Sequence, residues 1–165
     1  MSVEFVYLDS SSIVKRYVGE RGSEVADTVY ERAEAGTLRC AFSIWNVGEV
    51  FGVFDKYASR GLLSKDMLKT ALLDFLAESI KMVRLGSLEI LPMTANSLIE
   101  SWLLILRYHI YGADALQIST SKEAGCDLLL SADEGLVQVA RNEGIKAMNL
   151  GAEPEKALGE LEGRK

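Results

Sequence analysis

Short apolar runs rich in β-branched and aromatic residues alternate with helical segments along the chain, and this alternation most constrains its fold. The runs predict strands at 3–8, 38–43, 88–92, 127–130 and 145–150. Because helical segments separate the strands, we expect the strands to run parallel, with helices covering the sheet. The sequence therefore predicts an α/β fold with a mainly parallel central sheet.

The helical segments carry recognisable start signals. Helices are predicted at 12–17, 45–59, 113–124 and 134–142, and three more begin at or after Ser23, Ser64 and Thr94, whose hydroxyls suit a helix cap. After Gly151 the chain is charged and poor in apolar residues, which leaves a frayed tail or a short terminal helix open. We expect one domain over residues 1–150 and a C-terminal tail over residues 151–165.

Composition restricts the classes of function. The 165 residues carry 18 Lys and Arg against 24 Asp and Glu, a formal net charge of −6, which argues against nucleic-acid binding through a general basic surface. No apolar run approaches the roughly 18 residues of a membrane span, and the N-terminus lacks a secretory pattern, so a cytoplasmic protein is expected. Cys40 and Cys126 form no Cys-x-x-Cys pair and are predicted to be small buried thiols.

Three aspartates fall where a parallel sheet presents its ligands. Asp9 directly follows the first strand, Asp133 follows the strand at 127–130, and Asp114 lies in the first turn of the helix at 113–124. Ligands bind beyond the carboxyl ends of the strands in open α/β sheets. Each aspartate also has a purely structural alternative, because Asp is a good N-cap and complements the helix dipole in a first turn.

Glu49 lies in a helical run with apolar side chains on several faces, which predicts a position deep in the fold. A buried carboxylate needs a cation or strong hydrogen bonds, because an unpaired buried charge is costly. Gly48 and Gly52 lie beside it in the same helix, and glycines there suggest close packing of the backbone. A solvent-facing or ion-paired glutamate is the alternative.

Four carboxylates without a histidine, cysteine or lysine partner suit a hard cation. Mg²⁺ and Mn²⁺ prefer oxygen ligands, whereas carboxylates grouped without such an ion repel one another and take up protons. An ion held by Asp9, Glu49, Asp114 and Asp133 would activate a water molecule and stabilise the charge of a phosphate. Hydrolysis of a phosphodiester is the chemistry that such a site predicts.

The segments around these acids resemble the four acidic motifs of PIN domains. They are DSS at 9–11, SIWNVGEV at 43–50, ADALQI at 113–118 and SAD at 131–133, and with their spacing they extend over about residues 3–150. The resemblance implies a three-layer sandwich with a five-stranded parallel sheet between helices, one or two Mg²⁺ or Mn²⁺ ions, and cleavage of single-stranded RNA. It also implies metal-binding and catalytic roles for Asp9, Glu49, Asp114 and Asp133, with Ser11 and Ser131 as supporting hydroxyls.

Many stand-alone PIN domains of this size are toxins of the virulence-associated protein C type. The resemblance therefore implies a type II toxin that forms a homodimer and is held inactive by a small antitoxin protein. A catalytically silent PIN-like binding or scaffold protein is the alternative: the acidic net charge favours it, and the presence of all four acids opposes it.

Two other classes of acidic Mg²⁺ protein fit the sequence poorly. A phosphatase of the haloacid-dehalogenase type needs a second Asp two residues after the first, where this chain has Ser11. A receiver domain needs an Asp at the end of its third strand, and the run at 88–93 contains only Glu89 as an acid.

Several charged residues outside the quartet have two interpretations. Lys15 and Arg16 either face RNA phosphates or lie on a solvated helix face, and weaker candidates for the same contact are Arg60, Lys65, Arg107 and Lys122. Glu134 is either a further acid or an ordinary first-turn residue. His109 is either a substrate contact or a surface or packing histidine.

The two tryptophans are expected in the core. Trp45 and Trp102, with the apolar residues 103–106, lie in predicted helices whose periodicity favours packing. An exposed part of the Trp102 helix would instead form a dimer face or a groove for an inhibitor helix.

Overall fold

Five parallel strands form one central sheet. The computed structural model describes residues 3–163, so residues 1–2 and 164–165 of the predicted domain and tail lie outside the described residues. The strands are β1 (Phe5–Leu8), β2 (Arg39–Ser43), β3 (Leu88–Leu91), β4 (Leu128–Ser131) and β5 (Ala147–Asn149). Their order is β3-β2-β1-β4-β5 and every pairing is parallel, which confirms the predicted five-stranded parallel sheet.

Helices connect the strands and cover both faces of the sheet. They are α1 (Ser10–Val14), α2 (Ser23–Glu34), α3 (Ile44–Ser59), α4 (Lys65–Leu85), α5 (Ala95–Tyr108), α6 (Gly112–Ala124), α7 (Glu134–Asn142) and α8 (Pro154–Leu161). The hydroxyls of Ser64 and Thr94 cap α4 and α5 as predicted. The N-cap of α2 is Gly22, not Ser23, and its φ is 91°. A Cβ at Gly22 would lie 2.3 Å from the carbonyl oxygen of Leu150, so this close approach requires glycine.

Alternation of side chains along the strands divides the apolar core between the two faces of the sheet. On one face, Val6, Leu8 and Phe42 pack with residues of α1 to α4 and α8. On the other face, Tyr7 and Leu129 pack with residues of α5 to α7. Strands buried on both faces have continuous apolar sequences, as β1 and β4 do. The predicted three-layer α/β sandwich is therefore confirmed.

The segment after Gly151 forms helix α8, the second of the two alternatives that the sequence left open. Ala157 and Leu161 of this helix are buried and belong to the core. Arg32 of α2 donates a hydrogen bond to the carbonyl oxygen of Leu161. Helix α8 thus packs on the face of the sheet that carries α2.

Several apolar side chains that were predicted to be in the core lie on the surface. Trp45 is 44% exposed and Trp102 is 58% exposed, whereas Leu104 is buried. The prediction for both tryptophans was wrong, because helical periodicity identifies an apolar face without identifying what covers it. Cys40 is buried as expected, and Cys126 is only partly buried. Within residues 3–163, no helix combines the length and the hydropathy that crossing a membrane requires.

Candidate functional site

The site is located at the carboxyl edge of the sheet, where β1 and β4 end side by side. Leu8 pairs with Leu130 in the parallel register, so the residues that follow them, Asp9 and Ser131, are neighbours at this edge. Asp133 comes two residues later and caps α7. Residues more than a hundred positions apart in sequence therefore meet because two adjacent parallel strands end together.

Asp9 is the buried centre of the site, with 4% of its surface exposed. Its Oδ1 accepts hydrogen bonds from the hydroxyl of Ser11 at 2.7 Å and the backbone N–H of Ser12 at 2.9 Å. Its Oδ2 accepts a hydrogen bond from the hydroxyl of Ser131 at 2.7 Å. Burial raises the pKa of Asp9, and the bonds from Ser11, Ser131 and Ser12 oppose that rise. Within residues 3–163, this carboxylate accepts hydrogen bonds from uncharged hydroxyl and backbone groups and forms no ion pair.

Ser11 and Ser131 connect the two ends of the site. The Ser131 hydroxyl oxygen also accepts the backbone N–H of Asp133 at 2.9 Å, and Ser11 accepts the backbone N–H of Ala132 at 2.7 Å. These contacts place both serines where the sequence predicted supporting hydroxyls. Asp133 itself is exposed, and its Oδ1 accepts the backbone N–H of Leu136 at 2.9 Å.

Asp9 and Asp133 are both helix N-caps, as their structural alternative predicted. A capping role is compatible with a place in the site. The capping bond in each case engages Oδ1, and both carboxylates lie at the carboxyl edge of the sheet. Capping fixes each side chain in one orientation.

Glu49 reaches the same edge from α3. Its side chain is half-buried, so the predicted deep position was wrong, and its Oε2 accepts a hydrogen bond of 2.8 Å from the amide of Gln117. Burial raises the pKa of Glu49, contacts from the side chains of Ser10 and Trp45 lower it, and the charge of Asp9 raises it further. The predicted close packing at Gly48 and Gly52 was also wrong, since a Cβ at either would meet no atom within 4 Å.

Asp114 completes the group from the first turn of α6. Its carboxylate accepts no hydrogen bond from residues 3–163. Burial raises its pKa from 3.8 to about 6, and the charges of Asp133, Asp9 and Glu49 add to this rise in that order. The four predicted acids therefore lie within electrostatic range of one another, in one region of the protein.

The arrangement of the acids determines how a metal ion would be held. Within residues 3–163, no three His, Cys, Asp or Glu side chains are close enough to form a ready-made metal cage. Mg²⁺ and Mn²⁺ are commonly held by one or two carboxylates and several waters, so a preformed cage is not required. Mutually repelling carboxylates with raised pKa values and no ion-pair partner fit a hydrated divalent cation. The donor set therefore fits Mg²⁺ and Mn²⁺ as a group of hard cations.

The cations predicted to face RNA phosphates are engaged elsewhere. Lys15 is buried and contacts the carbonyl oxygen of Arg21 at 2.8 Å and Glu20 at 3.0 Å. Arg16 pairs with Asp27 at 2.7 Å and with Glu78 at 2.9 Å. Lys15 therefore does not lie on a solvated helix face, whereas Arg16 is partly exposed and is held by two acids. Among the weaker candidates, Arg107 and Lys122 both pair with Glu143, and Arg60 and Lys65 are exposed.

Two further residues follow their simpler interpretations. Glu134 lies in the first turn of α7 and accepts a hydrogen bond of 3.0 Å from Asn149. His109 is exposed and ends α5 in a left-handed conformation with φ 55°. Within residues 3–163, neither side chain forms a hydrogen bond with the four acids, and Glu134 directly follows Asp133 in the chain.

Sequence reasoning missed the buried amides behind the acids. Gln117 and Asn46 are 2% and 0% exposed, and both lie within hydrogen-bond distance of the hydroxyl of Tyr7. One signal was available, since Gln117 lies three residues after Asp114 and therefore on the same side of α6. A polar side chain in that apolar helix needs a buried partner.

Comparisons with known proteins support the geometric description. The PIN domain family model matches residues 6–142. No curated protein matches the chain.

Solved structures share the fold. PAE2754 from Pyrobaculum aerophilum matches with a TM-score of 0.59 and 18% identity over 98% of this chain and 90% of that chain. VapC20 of Mycobacterium tuberculosis, a sarcin-ricin loop cleaving toxin, matches with a TM-score of 0.52 and 14% identity over 75% and 86% of the two chains. VapBC2 from Rickettsia felis, solved on a DNA fragment from its promoter, matches with a TM-score of 0.57 and 14% identity over 87% and 97%. At such identities the likeness establishes the fold, and the family match extends over most of the sequence. The chain therefore belongs to the PIN domain family and has the fold of its VapC-type members.

Proposed function

We propose that the protein is a metal-dependent endoribonuclease that hydrolyses RNA phosphodiesters. The observation that carries this proposal is electrostatic: at the carboxyl edge of the sheet, the charges of Asp133, Asp9 and Glu49 raise the pKa of Asp114. PIN domains are generally nucleases that use divalent metals, and one solved relative of the same fold is described as a cleaving toxin. Mg²⁺ or Mn²⁺, when bound, supplies positive charge that lowers the pKa of the attacking water and stabilises the phosphate in transition.

Each of the four acids has a different role in holding that ion. We assign Asp9 as the fixed ligand, because three donors from Ser11, Ser12 and Ser131 hold it in one orientation. Asp114 is the ligand freest to take up the ion, since no hydrogen bond from residues 3–163 engages its carboxylate. Glu49 accepts a hydrogen bond from Gln117 and is also contacted by the side chains of Ser10 and Trp45. Asp133 accepts a hydrogen bond from the backbone N–H of Leu136.

An RNA cleavage assay tests the proposal. We expect the wild-type protein to cleave single-stranded RNA with Mg²⁺ or Mn²⁺, EDTA to stop the reaction, and Asp9→Asn to reduce the rate by at least about 100-fold. Asp55→Asn is the matched control, since Asp55 is exposed on α3 away from the acids and should leave the rate unchanged. Equal cleavage by the wild type and the folded Asp9→Asn variant would refute the nuclease.

The alternative is a silent scaffold with a PIN fold. It is favoured by the net charge of −6 and by the engagement of Lys15 and Arg16 in ion pairs away from the site. A Mn²⁺ titration separates the two functions. A nuclease site should saturate with Mn²⁺ and lose binding in Asp114→Asn, whereas a scaffold should show no saturable site.

We further propose that the protein is the toxin of a type II pair, acts in the cytoplasm and is held inactive by a small antitoxin. An apolar groove of about 360 Å³ between α3, α4 and β3 fits a partner helix, and its lining includes Ile44, Phe75, Leu76, Ile80, Val83 and Ile90. Expression of the chain alone should arrest growth, and co-expression of the protein encoded by the adjacent gene should restore it. Ile80→Glu should abolish this rescue while purified enzyme keeps its cleavage rate.

A homodimer is the assembly that we propose. On α5 the exposed side chains of Ile99, Trp102, Leu103 and Leu106 form a stripe at i, i+3, i+4 and i+7 spacing. Such a stripe can pack against its own copy across a twofold axis. Light scattering should give a dimeric mass for the wild type and a monomeric mass for Trp102→Glu; a monomeric wild type would refute the dimer.

A further inference from the structure

A buried hydrogen-bonded network leads from the interior of the protein to Glu49. It contains Tyr7 of β1, Asn46 of α3 and Gln117 of α6, none of which is more than 2% exposed. The hydroxyl of Tyr7 donates to Oε1 of Gln117, and Nε2 of Gln117 donates to Oε2 of Glu49 at 2.8 Å. Three elements of the fold thus converge on one carboxylate of the site.

The direction of the bonds in this network is fixed by its chemistry. Oδ1 of Asn46 accepts the backbone N–H and the hydroxyl of Ser43, both at 2.8 Å, and it lies 3.1 Å from the Tyr7 oxygen. Burial raises the pKa of Tyr7, so its phenol keeps the proton that it donates. Because Oε1 of Gln117 accepts the hydrogen bond from Tyr7, the amide nitrogen of Gln117 must face Glu49. The reverse orientation would place an amide oxygen against a carboxylate.

Glu49 needs such a constraint more than Asp9 and Asp133 do. A glutamate side chain has three rotatable bonds. The side chains of Asp9 and Asp133 are shorter, and each is held in one orientation because it caps a helix. Gln117 also lies three residues after Asp114 on α6, so its bond joins the helix of one acid to the side chain of another. Loss of this bond would remove the donor that the buried network supplies and leave Glu49 with its contacts to Ser10 and Trp45, so its orientation would be less constrained.

We propose that Gln117 is a positioning residue that holds the Glu49 carboxylate in place for the divalent ion. This inference rests on the proposed metal-dependent function, and it assigns Gln117 no contact with substrate. It predicts that Gln117 acts on metal affinity through Glu49 alone. A merely structural residue would change stability and would not depend on the identity of residue 49.

The test is a double-mutant cycle on Mn²⁺ affinity, measured by calorimetric titration. Gln117→Met keeps the length of the side chain and removes its N–H donor, and we expect it to weaken Mn²⁺ binding by about tenfold, the effect typical of a residue that orients a metal ligand. In a Glu49→Gln background the same change should have no further effect on the affinity. Melting temperatures in EDTA accompany each titration.

A control variant and a substitute variant separate the effect on metal binding from an effect on the fold. Thr120→Val alters a buried hydroxyl on the same helix that has no hydrogen-bond partner among residues 3–163, and it should leave Mn²⁺ affinity unchanged. Should Gln117→Met not fold, Gln117→Glu carries the test, since it keeps the shape and sets two carboxylates against each other. RNA cleavage by the Gln117 variants should recover at saturating Mn²⁺, with an unchanged KM for RNA.

The outcomes separate this inference from the function on which it rests. A wild type that binds no Mn²⁺ would refute both. A wild type that binds Mn²⁺, with an affinity that Gln117→Met leaves unchanged or lowers equally in the Glu49→Gln background, would refute the positioning role and leave the nuclease standing.

Discussion

The hydroxyl of Ser131 at the end of β4 donates a hydrogen bond of 2.7 Å to the carboxylate of Asp9, which follows β1. The same hydroxyl oxygen accepts the backbone N–H of Asp133 at 2.9 Å. One buried serine therefore sets the position of two acids that come from different parts of the chain. The pairing of β1 with β4 makes this possible, because it brings both strand ends to one edge.

Removal of the Ser131 hydroxyl should disturb the site and the fold together. Ser131→Ala removes one of the two hydroxyl donors to Oδ2 of Asp9 and the acceptor for the backbone N–H of Asp133. We therefore expect a loss of about 1–3 kcal/mol in the free energy of unfolding and weaker Mn²⁺ binding. Denaturant unfolding and Mn²⁺ titration measure these effects. Ser121→Ala is the control, because within residues 3–163 the buried hydroxyl of Ser121 bonds only to the carbonyl oxygen of Ile118 in its own helix. Equal Mn²⁺ affinities in the two variants would contradict the role of Ser131.

Replacement of Asp114 should stabilise the metal-free protein. Its pKa is raised from 3.8 to about 6, so the folded state binds this proton more tightly than the unfolded state does. The contribution is therefore favourable below the unfolded pKa and is lost as the pH rises through about 6. In EDTA at neutral pH, Asp114→Asn should be more stable than the wild type by about 1 kcal/mol, allowing for solvent screening of a half-buried group.

The pH dependence of this difference is its own control. Near about pH 4 the wild-type Asp114 is protonated in the folded protein, so the advantage of the amide should shrink. Urea unfolding at the two pH values gives both numbers. A variant that is less stable than the wild type at neutral pH would show that the carboxylate is not under electrostatic strain.

Mn²⁺ should stabilise the folded protein through the site. An ion at about 100 times its dissociation constant adds about 2.7 kcal/mol to the free energy of unfolding, which appears as a higher Tm that EDTA reverses. Asp133→Asn should lose most of this increase. Glu31→Gln should keep it, because Glu31 is exposed on α2, a helix that supplies none of the four acids; a loss in both variants would point to general charge screening.

Helix α8 should contribute measurably to stability. Leu161 is 2% exposed, so Leu161→Ala should lower the free energy of unfolding by about 3 kcal/mol through the lost apolar contacts and the cavity left behind. Leu62→Ala, at a leucine that is 63% exposed, should change it by less than about 0.5 kcal/mol. Similar unfolding curves for both variants would mean that α8 detaches in solution.

The sequence predicted the sheet well because its signal is local. Each buried parallel strand is a continuous apolar run, so the five strands were found to within about two residues of their observed ends. Helix starts at Ser64 and Thr94 were found for the same reason, since a cap depends on residues within one turn. The start of α1 was missed by two residues because Asp9, predicted as a site residue, is also its cap.

The four acids were chosen from the sequence by their places at strand ends and helix starts and by the family motifs. What the sequence left open was their surroundings. The half-buried position of Glu49, the ion pair between Arg16 and Glu78, and the exposure of Trp45 depend on neighbours far away in sequence. The deep position predicted for Glu49 and the core position predicted for Trp45 were therefore wrong. The bond between Gln117 and Glu49 joins residues 68 positions apart, and no local pattern indicates it.

By itself, the sequence determined the order of strands and helices along the chain, because hydrophobic periodicity and capping act over a few residues. It also determined which carboxylate side chains are available as oxygen ligands. The tertiary structure alone decided which side chains share a hydrogen bond, which cations are engaged elsewhere, and how far the charge of one acid shifts the pKa of another. These properties depend on distances in space, and those distances are set by the pairing of β1 with β4 and by the packing of α3 and α6 against the sheet edge.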